Sequence, residues 1–205
     1  MCGVFAAEYL FDLKMIKMIR SISITIAFIL LCPAAQAGVT IHFEGTASSS
    51  SAIAQIIAIA TAFAKKRGWQ IKDASAKTGK IPRVIEEKDK DDEGKITGVV
   101  LYPPKMCEPV YLQFGDDLFM QDYVKTQFSG VTIHLEVIAL FDELKPHFKK
   151  LSVDDEGEYW ETRNKKTLEN HIDTVNRMIK DIRTKNPKAE GPIKLPSGRI
   201  ADVIN

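Results

Sequence analysis

Between Ser49 and Gly68 the chain carries the pattern that most restricts its fold. In "AIAQIIAIATAFAKKRG" the residues Ile53, Ile56, Ile57, Ala60, Phe63 and Ala64 recur at three-four spacing. That period makes one apolar stripe on a helix, and a stripe of this kind has to be buried against something. A serine run, Ser48 to Ser51, supplies capping candidates at its start. Lys65, Lys66 and Arg67 sit in the last turn, where the helix dipole favours cations, and Gly68 is the stop.

The neighbours of this helix have a different period. In "VTIHFEG" the residues Val39, Ile41 and Phe43 alternate with Thr40, His42 and Glu44, which is a strand with one buried face ending at Gly45. Trp69 and Ile71 alternate with Gln70 and Lys72 in a short returning strand. "ITGVVLYPPKMCEPVYLQFG" reads as two strands around a proline-rich loop, since prolines stay out of a sheet interior. "EEKDKDDEGK" at 86–95 mixes charge signs without an apolar anchor and reads as a mobile loop. It lacks the spaced acids and distal glutamate of a calcium loop. "DDLFMQDYVKTQFSG" reads as an irregular connector.

A second helix is expected from Thr132 to Lys150, with Val137, Leu140, Phe141, Leu144 and Phe148 in its stripe and Pro146 kinking or ending it. A third runs from Asn164 or Lys165 to about Thr184, with Leu168, Ile172, Val175, Ile179 and Ile182 on one face. The tail from Asn186 to Asn205, with three prolines and two glycines, is expected to be loosely packed. This order predicts an α+β domain, a mostly antiparallel sheet with about three helices on one face.

The first 37 residues stand apart. Lys17 and Arg20 precede an apolar run that ends in Ala35-Gln36-Ala37, the layout of a secretory signal cut between Ala37 and Gly38. Met15 or Met18 would open such a signal better than Met1. Its apolar core, about a dozen residues, is short for a membrane span. Lipidation at Cys32 is disfavoured because Leu31 is not small, and an uncleaved anchor is the other alternative. The mature chain, Gly38–Asn205, has 168 residues with 25 basic and 25 acidic side chains. That length suits one domain, residues 38–185 before the tail. The charge balance argues against a nucleic-acid partner. The only cysteine left is Cys107, so no internal disulfide is expected, and a lone cysteine is more often a small buried filler.

The candidate site is "DDEGEYWET", residues 154–162. Asp154, Asp155, Glu156, Glu158 and Glu161 cluster around Gly157, Tyr159 and Trp160. Asp154 to Gly157 has turn chemistry and predicts a hairpin corner. A strand would follow, with Glu158, Trp160 and Thr162 on one face and Trp160 anchored in the core. Five acids beside Lys149, Lys150, Arg163, Lys165 and Lys166 read as solvated rather than catalytic. Glu158, Tyr159 and Glu161 suit contact with a protein partner. "YVKTQFSG" at 123–130 places Lys125 and Gln127 before a helix start, where backbone amides can hold an anion. An ordinary entry loop is the plainer account of that stretch, and Lys125 and Gln127 join the candidate contact residues.

The histidines His42, His134, His147 and His171 form no ligand pair spacing, so no metal or other cofactor is expected.

"VKTQFSG", the histidine that follows it, and "DEGEYWET" together resemble a set of small uncharacterised bacterial proteins sharing K-T-Q-F-x-G and D-E-G-x-Y-W-E-T segments. The resemblance covers the C-terminal third to half of the chain. It implies bacterial origin and a common fold, with no catalytic residue attached. Two functions fit these readings. One is an exported, non-enzymatic binding protein, such as a periplasmic immunity or inhibitor protein. The other is a small hydrolase or metal-dependent enzyme that brings Glu158 or Glu161 onto His134.

Overall fold

The computed structural model describes residues 38–204 apart from 86, 87 and 105, and only the backbone within 82–92. The expected signal segment, including Cys32, lies outside the described residues.

The protein is α+β, and every pairing between its described strands is antiparallel. Strand β1 (Thr40–Ala47) shows the expected alternation, with Ile41, Phe43 and Ala47 buried. It continues through Gly45 instead of ending there. Helix α1 (Ser50–Lys66) follows, capped by Ser49, whose side chain accepts from Ala52 N. Its stripe is buried except for half-buried Ile57, and the Arg67 guanidinium lies 3.3 Å from the centroid of the Phe63 ring.

Next come β2 (Gln70–Asp73), β3 (Ala76–Ile85) and β4 (Lys88–Tyr102). The mobile loop expected at 86–95 is therefore largely strand, because Gly94 pairs with Gly79 and Lys88 with Ile85. Backbone pairing to β3 replaces the apolar anchor that these residues lack. Strand β5 (Val110–Phe114) pairs with β4 as expected.

The connector expected at 116–130 is instead mostly strand β6 (Phe119–Lys125), paired along β1 from Thr40↔Lys125 to Thr46↔Phe119. Its alternation is hidden by Asp122, which occupies an inward register between buried Met120 and Val124.

Helix α2 (Val131–Leu144) is shorter than expected. Pro146 ends it in a single 3₁₀ turn, and Phe148 moves into strand β7 (Phe148–Asp155), where it stays buried. Strand β7 pairs with the other edge of β1, so β1 is the middle of a β6-β1-β7 sheet. Strands β2, β4, β3 and β5 form a second sheet, so the strands are divided between sheets.

After β7 comes a one-turn helix, α3 (Tyr159–Thr162), and then α4 (Lys165–Lys185), capped by Asn164. The tail is not loose. It forms the hairpin β8 (Ile193–Lys194) and β9 (Ile200–Ala201), with Ala189 and Ile200 buried.

The main core joins β1, β4, β5 and β6 to α1 and α2. A second cluster gathers Val39 with Leu168, Ile172, Val175 and Ile179 of α4, and half-buried Tyr159 touches both clusters. Among the described residues, no helix is long and apolar enough to cross a membrane.

Candidate functional site

The candidate segment folds differently from the expected hairpin. Strand β7 stops at Asp155, Glu158 takes a left-handed conformation (φ 57°), and Tyr159 starts α3. The cause is the Asp155 carboxylate. Its Oδ1 accepts from Gly157 N at 2.8 Å, and its Oδ2 accepts from Tyr159 N and Trp160 N at 2.9 Å each. An acid that gathers the free amides of a helix start caps it and favours its dipole. A strand through 158–162 would leave that buried carboxylate without these donors.

Asp155 is held in turn by His134 of α2, whose Nε2 lies 3.0 Å from Oδ2. The other ring nitrogen, Nδ1, is 2.8 Å from Thr126 Oγ1, and that hydroxyl is 3.3 Å from Val39 O. Since an ionised carboxylate only accepts, Nε2 carries the proton toward Asp155. Burial works to raise the Asp155 pKa. The bond and charge of His134, with the amides of Trp160 and Gly157, outweigh it and hold the carboxyl below its ordinary value.

Thr126, His134 and Asp155 are the residue types of a nucleophile, base and orienting acid. Thr126 and His134 are both 0 % exposed and Asp155 is 4 % exposed. A substrate atom has no route to that hydroxyl in this fold. The row is a clamp that joins β1, α2, β7 and α3.

Glu156 faces the other way. Its Oε2 accepts from Thr40 N at 2.8 Å, and its Oε1 is 3.6 Å from His42 Nε2. Burial opposes its ionisation, but His42 and Thr40 prevail and keep its pKa low. The Glu156 bond raises the pKa of His42, burial opposes it, and Asp154 and Asp122 add to the rise.

The candidate contact residues separate into two groups. Glu158 and Glu161 are exposed, with Glu158 3.5 Å from His171 Nε2. Tyr159 is half-buried and divides its ring between packing and solvent. Beside them Arg163 grips Asp142 with two bonds of 2.7 and 2.8 Å and lies 4.9 Å from the Trp160 ring. Lys125 and Gln127 are not displayed. Gln127 is 1 % exposed, its Oε1 accepting from Val39 N, and Lys125 Nζ bonds Asp202 at 2.8 Å. The same pairing takes Lys125 away from an anion at the α2 start.

His134 bonds Thr126 and Asp155, so the structure does not bring Glu158 or Glu161 onto it. Among the described residues, no three His, Cys, Asp or Glu side chains gather as a metal-holding group. Cys107 is fully buried, and burial pushes its thiol up to about 12 despite Ser129 and Lys194, as an inert filler requires.

Sequence reasoning missed a second polar cluster around Glu108 and Arg199. Buried Glu108 accepts from Ile200 N at 2.7 Å, Lys125 N at 3.1 Å and Arg199 Nη1 at 3.2 Å. Arg199 also binds Asp122 and lies 4.0 Å from the Tyr123 ring. This strap fastens the tail hairpin to β6. The one signal for it was Glu108, an acid set between Cys107 and Pro109 in the proline-flanked "PPKMCEPV".

The chain matches no family model, no curated protein and no solved structure.

Proposed function

We propose that the protein is an exported bacterial binding protein that works by touching another protein, in the manner of a periplasmic inhibitor or immunity protein. The contact surface is the corner formed by Glu158, Tyr159, Trp160, Glu161 and Arg163. The observation that carries this reading is the clamp beneath the corner. Asp155 holds the amides of Gly157, Tyr159 and Trp160 from a buried position, so the exposed side chains stand on a backbone that is already ordered. Preorganisation lowers the entropy lost on association. Tyrosine, tryptophan and arginine are also the residues that most often dominate contact energy.

Export is supported by the sequence, in which Lys17 and Arg20 precede an apolar run that ends in Ala35-Gln36-Ala37. The segments behind the bacterial resemblance, 125–130 and 155–162, meet at the clamp through Thr126, His134 and Asp155.

The test is capture of a protein from the exported fraction of the native host by the immobilised mature chain. In parallel, Glu161→Arg combined with Glu158→Ala is used. Both residues are exposed, so the double variant is expected to melt like the parent while its capture falls at least tenfold. Equal capture by both chains, or no specific capture by the parent, would reject the corner as a contact surface.

A further inference from the structure

From residue 39 onward the start of β1 is tied down on every side. Val39 N donates to Gln127 Oε1 at 3.1 Å, Thr126 N donates to Val39 O at 3.1 Å, and Thr40 N donates to Glu156 Oε2 at 2.8 Å. Gly38 comes just before these ties and lies against the same carboxylate. A Cβ placed on Gly38 would stand 3.3 Å from Glu156 Oε2, 3.4 Å from Thr40 Oγ1 and 3.8 Å from Lys125 Cε. The Lys125 ammonium is already engaged by Asp202. The other charged groups around Glu156 are His42 on β1, which faces its second oxygen, and Asp154 and Asp122, which face His42. Glu156 is held ionised and has one oxygen turned toward Gly38.

Hydrolysis of the Ala37–Gly38 bond by a signal-cleaving peptidase uses one water. The carboxylate departs with the leader, and the amine stays on Gly38 and takes up a proton. The resulting ammonium is one bond from the Cα that Glu156 flanks. We propose that Glu156 is the receiving site for this α-ammonium, so that removing the leader adds an ion pair to the fold and locks the end of β1 to the 155–158 turn. The inference rests on the export reading.

The experiment uses the mature chain starting at Gly38, with its amine free or acetylated, in the parent and in Glu156→Gln. Acetylation removes the terminal charge and little else. At pH 7 it is expected to lower Tm by roughly 1–3 °C in the parent. It is expected to leave Glu156→Gln unchanged. The Gly38 amine, followed by NMR, is expected to titrate above a free peptide amine in the parent and to return toward it in the variant. An equal acetylation effect in both chains, or an unshifted amine, overturns the proposal. Should Glu156→Gln fail to fold, a single methionine added before Gly38 displaces the charge instead. It is then expected to lower Tm as acetylation does, and an unchanged Tm overturns the proposal. The mass of the exported natural protein separates the two ideas. A start other than Gly38 sinks the cleavage reading, and a Gly38 start without coupling to Glu156 sinks the ion pair alone.

Discussion

Asp155 in the clamp and Asp122 in the tail strap are both withdrawn from water and both bonded to a basic side chain, yet their acidities move in opposite directions. Burial raises each. In Asp155 the His134 bond and the amides of Trp160 and Gly157 overcome burial, and the carboxyl falls below its ordinary value. In Asp122 burial wins over Arg199 and the Tyr123 amide, and the carboxyl rises. The cation does not explain the difference, since a guanidinium is the more permanent charge. The number of dedicated donors does, together with the Glu108 carboxylate, whose charge pushes Asp122 further up. Asp155 takes three backbone N–H groups and one imidazole, whereas Asp122 takes one N–H group and shares Arg199 with Glu108 and the Tyr123 carbonyl. A carboxylate is stabilised by oriented amides more dependably than by a shared cation.

The largest test of this comparison removes each acid in turn. Asp155→Ala strands one buried and two part-buried amides and the buried His134 ring, and is expected to cost about 3–5 kcal/mol in urea unfolding. Asp122→Ala strands one backbone N–H and one of the partners of Arg199, and is expected to cost less, about 1–2 kcal/mol. Equal losses would break the donor account. The two acids also differ in pH dependence. Asp155, with a lowered folded pKa, contributes stability above its unfolded value of about 3.9. That contribution is lost as pH falls through the lower folded value. Asp122, with a raised folded pKa, gives stability below its unfolded value that is lost as pH rises through the folded one. Asp122→Asn is therefore expected to remove only the second loss.

Next in size is Gly157→Ala. The new methyl would stand 2.6 Å from Leu168 Cδ1 and 3.1 Å from both Asp155 Oδ1 and His134 Cε1. The glycine is where α4, the acid and the imidazole close over the turn, and the expected cost is about 1–3 kcal/mol by urea unfolding. A neutral result would mean that the clamp tolerates displacement. Arg199→Ala is expected to cost about 1–2 kcal/mol, since it leaves buried Glu108 with only two amide donors. Limited proteolysis of this variant should cut within 186–204 sooner than in the parent, and an unchanged cutting pattern would show that the hairpin is held by packing alone.

How legible these regions were depends on the range of the interactions that make them. The Ser49 and Asn164 caps, the stripe of α1 and the stripe of α4 as far as Ile179 are decided within a few residues and could be read from the chain, whereas Ile182 is exposed and α2 stops at Leu144, short of the expected Lys150. Strand β6 was hidden because the strap puts Asp122 where an apolar residue would keep the alternation. The charged half of β4 was hidden because backbone pairing to β3 leaves no trace in side-chain pattern. The turn into α3 depends on His134, which precedes Asp155 by 21 residues, and the burial of Gln127 depends on Val39, 88 residues away. Turn chemistry at 154–157 therefore suggested a hairpin, while a tertiary bond chose a helix. The segment stood out as unusual, and the structural role inside it falls to buried Asp155.

The smallest expected effect sharpens the comparison at the exposed edge of the same turn. His42 is an intermediate case, with one carboxylate partner and a side chain 44 % exposed. Its folded pKa is raised, chiefly by Glu156, so its contribution is fully present below the unfolded value of about 6.5 and disappears as pH rises through the higher folded value. Solvent screening limits that contribution to at most about 1 kcal/mol. Thermal unfolding of the parent is expected to show a shallow decline from pH 6 to pH 8, and His42→Gln should flatten it. The same decline is expected to shrink in moderate salt, as a screened surface pair requires. Losses below pH 4 should respond less, because Asp155 and its donors are shielded from ions. A decline from pH 6 to pH 8 that persists in His42→Gln, or that ignores salt, would place the titrating group elsewhere and remove His42 from the set of charges holding the turn.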